Sequence, residues 1–141
     1  TGRYEVSDAV KAVIGKHFVG GYCSDDETKS AINKVYTENG YLMDTHTAVA
    51  YNKLAAYRKD TGCVTPAVVV STASPYKFCN SVLQALGQES DAPGTELIEK
   101  LSEVTKTAIP KPLEGLDRRE KRFELVVDKP EMKATVADFL K

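Results

Sequence analysis

Two short stretches hold side chains that could do chemistry. The first is Asp44-Thr45-His46-Thr47, which combines a carboxylate, an imidazole and two hydroxyls. The second is Ser71-Thr72-Ala73-Ser74-Pro75-Tyr76-Lys77, which places the hydroxyls of Ser71, Thr72 and Ser74 and the ammonium of Lys77 close together. Each stretch follows an apolar run and leads into a helical pattern. In open α/β sheets, ligands bind outside the carboxyl ends of strands. Helix starts carry free N–H groups that favour anions. The same residues also read as helix caps: Asp44, Thr45 and Thr47 before one helix, Ser74 before Pro75 in the next. A phosphate held by Ser71, Thr72, Ser74 and Lys77 is a second chemical reading.

The elements that must position these groups follow from periodicity. Ser7 to Phe18 has a capping serine and apolar residues at Val10, Val13, Ile14 and Phe18, which is helical spacing. Ser24 with Glu27 three later forms a capping box. Ala31, Ile32, Val35 and Tyr36 then form an inner helical face, closed by Gly40. Residues 41–44 (YLMD) read as a short apolar strand. Residues 45–62 read as a helix rich in small side chains, stopped by Gly62. Residues 66–72 (PAVVVST) lack polar alternation, as does a strand buried on both faces of a sheet.

Pro75 and Gly87 frame the next helix, with a stripe of Phe78, Val82, Leu83 and Leu86. Residues 88–94 read as a polar loop. Leu97, Ile98, Leu101 and Val104 mark another helix, and 109–115 form a proline-containing connector. Asp117 to Arg122 are a solvated charged run. Pro130 opens a last helix reaching Leu140. The expected fold class is α/β and helix-rich, with few short strands flanked by helices, in one unit over 1–141. Two short strands are too few for a sheet of ordinary size, so the chain reads as part of something larger. It also begins Thr-Gly-Arg, as a processed protein or an internal segment does.

The 141 residues suffice for one modest core, with 42% apolar and 28% charged residues. A net charge of −1 gives no electrostatic case for nucleic acid or an anionic membrane. No apolar run approaches the roughly 20 residues of a membrane-spanning helix. Cys23, Cys63 and Cys79 are few and odd in number and lack metal-ligand spacing. They read as reduced thiols of a cytoplasmic protein.

Taken in order, GYCSDDETKSAI, GYLMDTHTAVA and STASPYKFCNSV resemble the C-terminal part of threonine synthase. That family carries a DPHTAV-like segment followed by a TAHPAKF-like one. Asp44, His46, Thr47, Ala48 and Val49 match the first; Thr72, Ala73, Pro75, Lys77 and Phe78 match the second. The later PKPLEGL resembles the family's proline-rich closing stretch. Thr45 stands where proline is common, and Ser74 where histidine is common.

The resemblance implies a tryptophan-synthase-like fold. It implies pyridoxal 5'-phosphate as cofactor and the conversion of O-phosphohomoserine and water to threonine and phosphate. It implies that Thr72 meets the pyridine nitrogen, with Asp44, His46, Thr47 and Ser74 as further cofactor-site residues. The family's Schiff-base lysine and phosphate-cradling loop precede this region and are not recognisable here. The chain therefore reads as a C-terminal fragment, without catalytic residues of its own and inactive alone. Its partner would be the N-terminal remainder of the same enzyme. The alternative is a freestanding α/β module that binds phosphate or a phosphorylated ligand.

Overall fold

A computed structural model describes residues 2–120 and 122–141. Six α-helices are present among them: α1 Asp8–Gly15, α2 Asp25–Asn39, α3 Thr45–Thr61, α4 Cys79–Ala85, α5 Gly94–Thr105 and α6 Met132–Phe139. Single 3-10 turns cover Pro75–Phe78, Lys111–Leu113, Leu116–Arg118 and Lys129–Glu131.

The helix boundaries sit where local chemistry demands them. Ser24 Oγ accepts from Glu27 N at 3.2 Å, and the Glu27 carboxylate accepts from Ser24 N at 2.8 Å. This reciprocal pair satisfies two N–H groups that the first turn of α2 would otherwise leave open. Gly40 ends α2 and Gly62 ends α3, both at a φ of 67°. That left-handed conformation is the one in which a Cβ is costly.

α2, α3, α4 and α5 enclose the core. Ile32, Ala48, Val82, Leu83 and Leu101 are wholly shielded from solvent, with Ala31, Val35, Leu42, Met43, Leu97 and Ile98 beside them. Removing a leucine- or valine-sized side chain from water contributes about 1.5–3 kcal/mol. Every buried side chain among the described residues lies between Thr28 and Thr105. The apolar stripe of α1 faces outward instead: Val13 and Phe18 are exposed, as are Val136, Phe139 and Leu140 in and after α6.

The expected strands are not present among the described residues. Residues 41–44 form a linker in which Leu42 and Met43 are buried and Asp44 caps α3. Residues 63–72 run as unpaired irregular chain. The physical reason is that a strand exists only through pairing with a neighbouring backbone, and no described segment lies in register to supply it. Val64 is 91% exposed and Val68 is 89% exposed. The apolar pattern is therefore real, but Val64, Val68 and Val70 stand bare and only Val69 among its valines is half-buried.

Candidate functional site

Asp44 organises the site. It is the N-cap of α3 and only 1% exposed. Its Oδ1 accepts from His46 N at 2.8 Å and from Thr47 N at 3.4 Å. The His46 ring contacts the same oxygen through Nδ1 at 3.0 Å. The Thr47 hydroxyl donates to the other carboxylate oxygen, Oδ2. One carboxylate thus joins a cap, an imidazole and a buried hydroxyl. Burial pushes the Asp44 carboxyl upward, but hydrogen bonds from the Thr47 hydroxyl and from His46 outweigh it and hold the group below its ordinary range. Donors aimed at a charged form favour that form.

The network reaches the second stretch through Ser71. Ser71 Oγ lies 3.1 Å from Thr47 Oγ1. Thr47 has a single hydroxyl proton, which the carboxylate takes, so the Ser71 hydroxyl serves as the donor between the two. The His46 ring lies against Phe78, with centroids 5.6 Å apart and planes tilted by 37°. Two side-chain links therefore tie the start of α3 to residues 71–78.

Thr72 follows at the end of the apolar segment. It is exposed and takes no part in this network among the described residues. Ser74 is also exposed, and its Oγ accepts from Tyr76 N at 3.2 Å, capping the 3-10 turn Pro75–Phe78. Lys77 places its ammonium 5.5 Å from the centre of the Phe78 ring. The structure thus brings Asp44, His46 and Thr47 together and ties Ser71 and Phe78 to them; Thr72 and Ser74 lie between those two ties and make no hydrogen bond to Asp44, His46 or Thr47 among the described residues.

Sequence reasoning left several supporting residues without a role. Tyr76 is buried, and its phenol donates to the Thr107 carbonyl at 2.9 Å and meets Thr107 Oγ1 at 2.8 Å. Thr105 Oγ1 lies 2.7 Å from that same Thr107 hydroxyl. This cluster anchors the turn after Ser74 to the end of α5. A separation of 31 residues carries no periodic signal. An open groove of about 1270 Å³ also runs between residues 17–22 and the outer face of α3, with His17, Tyr22, Glu27, His46, Lys53 and Tyr57 along it. Gly21 approaches Lys53 so closely that a Cβ there would lie 2.7 Å from Lys53 Cδ.

Among the described residues, every buried side-chain nitrogen or oxygen has a hydrogen-bond partner. No helix among them is long and apolar enough to cross a membrane.

Comparison with known proteins places these residues in a family. The family model described as "Threonine synthase, C-terminal" matches residues 47–137, more than half of the chain. The match takes in Thr47, Thr72 and Ser74 and begins just after Asp44 and His46. Threonine synthase-like 1 of Mus musculus is 36% identical over 112 residues, covering 79% of this chain and 14% of that protein. Threonine synthase of Schizosaccharomyces pombe is 37% identical over 92 residues, covering 64% of this chain and 17% of the relative. Threonine synthase of Methylobacillus glycogenes is 29% identical over 127 residues, covering 89% and 22% respectively. The chain therefore spans less than a quarter of the length of these relatives. With Thr72 and its neighbours inside the matched span, the chain belongs to the threonine synthase C-terminal family.

Proposed function

We propose that this chain is the C-terminal part of a cytoplasmic, pyridoxal-phosphate-dependent threonine synthase. The complete enzyme converts O-phosphohomoserine and water into threonine and phosphate, and this part supplies one wall of the cofactor site. The observation that carries the reading is Thr72. Its hydroxyl stands exposed at the end of an apolar segment, next to a rigidly hydrogen-bonded helix start.

The residues present fit the cofactor. Thr72 offers a hydroxyl that no described residue uses. The carboxylate in the network, Asp44, is engaged by His46 and Thr47 and is not free for another partner. Pyridoxal phosphate, when bound, supplies an electron sink conjugated with the substrate. Thr72 would meet its ring nitrogen with a group far too weakly acidic to keep that nitrogen protonated, which would moderate the sink. Weaker withdrawal favours loss of phosphate over transamination. Asp44, His46, Thr47 and Ser74 flank the same site, with Asp44 fixing the start of α3 and Pro75 fixing the turn after Thr72.

In this reading the rest of the protein supplies the Schiff-base lysine, the phosphate-binding loop and the sheet of a tryptophan-synthase-like fold. The bare faces of Val64, Val68 and Val70 support it, since residues 66–72 could then pair as an inner strand. The alternative, a freestanding phosphate module at Ser71–Lys77, finds less support. Ser74 already occupies one free N–H of the turn, and the α-helix that follows has only seven residues.

The test is a product assay. The 141-residue chain alone is expected to release no phosphate from O-phosphohomoserine, while the complete protein releases phosphate and forms threonine. A complete protein that forms no threonine removes the reading. Turnover by the chain alone removes the claim that the catalytic lysine lies elsewhere.

A further inference from the structure

The Asp44–His46 pair does more than cap a helix. An ionised carboxylate can only accept hydrogen bonds. The His46 nitrogen lying 3.0 Å from Asp44 Oδ1 must therefore carry the proton. In the neutral ring this leaves Nε2 bare, with a lone pair. Nε2 has no partner among the described residues, and the His46 side chain is 51% exposed on the wall of the groove. The ring cannot turn freely, because Phe78 lies against it while Asp44 holds Nδ1. A buried acid that fixes the tautomer of a half-exposed imidazole is an arrangement suited to proton transfer. Capping alone needs only the bonds that the His46 and Thr47 backbone N–H groups donate to the Asp44 carboxylate and leaves the ring contact unexplained.

We propose that His46 is the proton acceptor for water in the threonine-forming reaction, with Asp44 as its positioning residue. This deepens, and rests on, the function proposed above. Loss of phosphate leaves the substrate with a carbon–carbon double bond, across which water must add. The water oxygen supplies the electron pair of the new C–O bond. One water O–H bond breaks, and its proton passes to Nε2. The displaced pair of the double bond takes a solvent proton at the neighbouring carbon, and His46 returns its proton to solvent. The net change is one H and one OH added across the bond.

Two measurements test this. The first uses the chain itself: nitrogen-15 NMR of the neutral imidazole is expected to show His46 protonated at Nδ1, against the Nε2–H form common in unconstrained histidine. Asp44→Asn is expected to abolish that preference. An Nε2–H form in the unaltered chain overturns the proposal whatever the enzyme does. The second uses the complete enzyme carrying His46→Gln. Threonine formation is expected to fall by about 100-fold, in the range for losing a general base. Phosphate release is expected to fall much less, so phosphate produced per threonine rises well above one. An unchanged ratio of one overturns the role of His46, and thermal unfolding of the variant near the parent's temperature shows that the change is not loss of fold. If the unaltered complete protein makes no threonine, the reading of the function fails, and the role of His46 built on it fails as well, even where NMR finds the Nδ1–H tautomer.

Discussion

The four-helix core and the segment 63–72 both carry apolar side chains but meet opposite fates. In the core, Ile32, Leu83 and Leu101 are wholly buried, and each helix around them folds by hydrogen bonds within itself. In the segment, Val64, Val68 and Val70 are exposed, and the backbone is unpaired. A helix satisfies its own N–H and C=O groups, while a strand borrows its partners from elsewhere. The difference teaches that stability and function are separated here. The helices hold the molecule together, and the bare segment carries Ser71 and Thr72 to the place where the proposed chemistry occurs.

The comparison can be broken most forcefully by truncation at matched sites. Leu83→Ala in the core is expected to cost about 2–5 kcal/mol, because it removes buried methyl groups and leaves a cavity. Val68→Ala on the bare segment is expected to change stability by no more than about 0.5 kcal/mol, as exposed sites do. Urea unfolding of the 141-residue chain measures both. Equal losses at the two positions would mean that 63–72 is packed in solution and would remove the contrast.

A smaller effect sharpens the link between the regions. The Asp44 carboxyl is held below its ordinary value of 3.8, so the folded chain binds fewer protons there than the unfolded chain. The stabilisation is complete above the unfolded value and is lost as the pH falls through the depressed folded value. Asp44→Asn is therefore expected to be less stable than the parent at neutral pH, and the gap is expected to narrow as the pH drops below about 4, where the unfolded carboxyl begins to protonate. The measurement is thermal unfolding followed across that range. A gap that stays constant through it would show that Asp44 acts by shape rather than charge.

The sequence made the helices legible because their signals are local. The Ser24–Glu27 box, the Asp44 cap, Gly40 and Gly62 each act within one turn of the residues they control, and all four boundaries stand where the spacing predicts them. The expected strands at 41–44 and 66–72 failed for the converse reason. Their apolar pattern records a demand for neighbours, and among the described residues those neighbours do not exist. The site divides the same way. Asp44, His46 and Thr47 sit within one helical turn, so their meeting follows from spacing. The bridge from Thr47 to Ser71 spans 24 residues, and that from Tyr76 to Thr107 spans 31. No periodicity couples such positions; only the packing of α2, α3, α4 and α5 brings them together.

The central claim is that Thr72 faces the cofactor ring nitrogen in the complete enzyme. The absorption spectrum of the complete protein carrying Thr72→Asp, recorded with pyridoxal phosphate bound, tests it most directly. A carboxylate at that position would accept a hydrogen bond from the protonated ring nitrogen and hold it in that form, so the account predicts a shifted cofactor band together with slower threonine formation. A band and a rate indistinguishable from the parent's would contradict it.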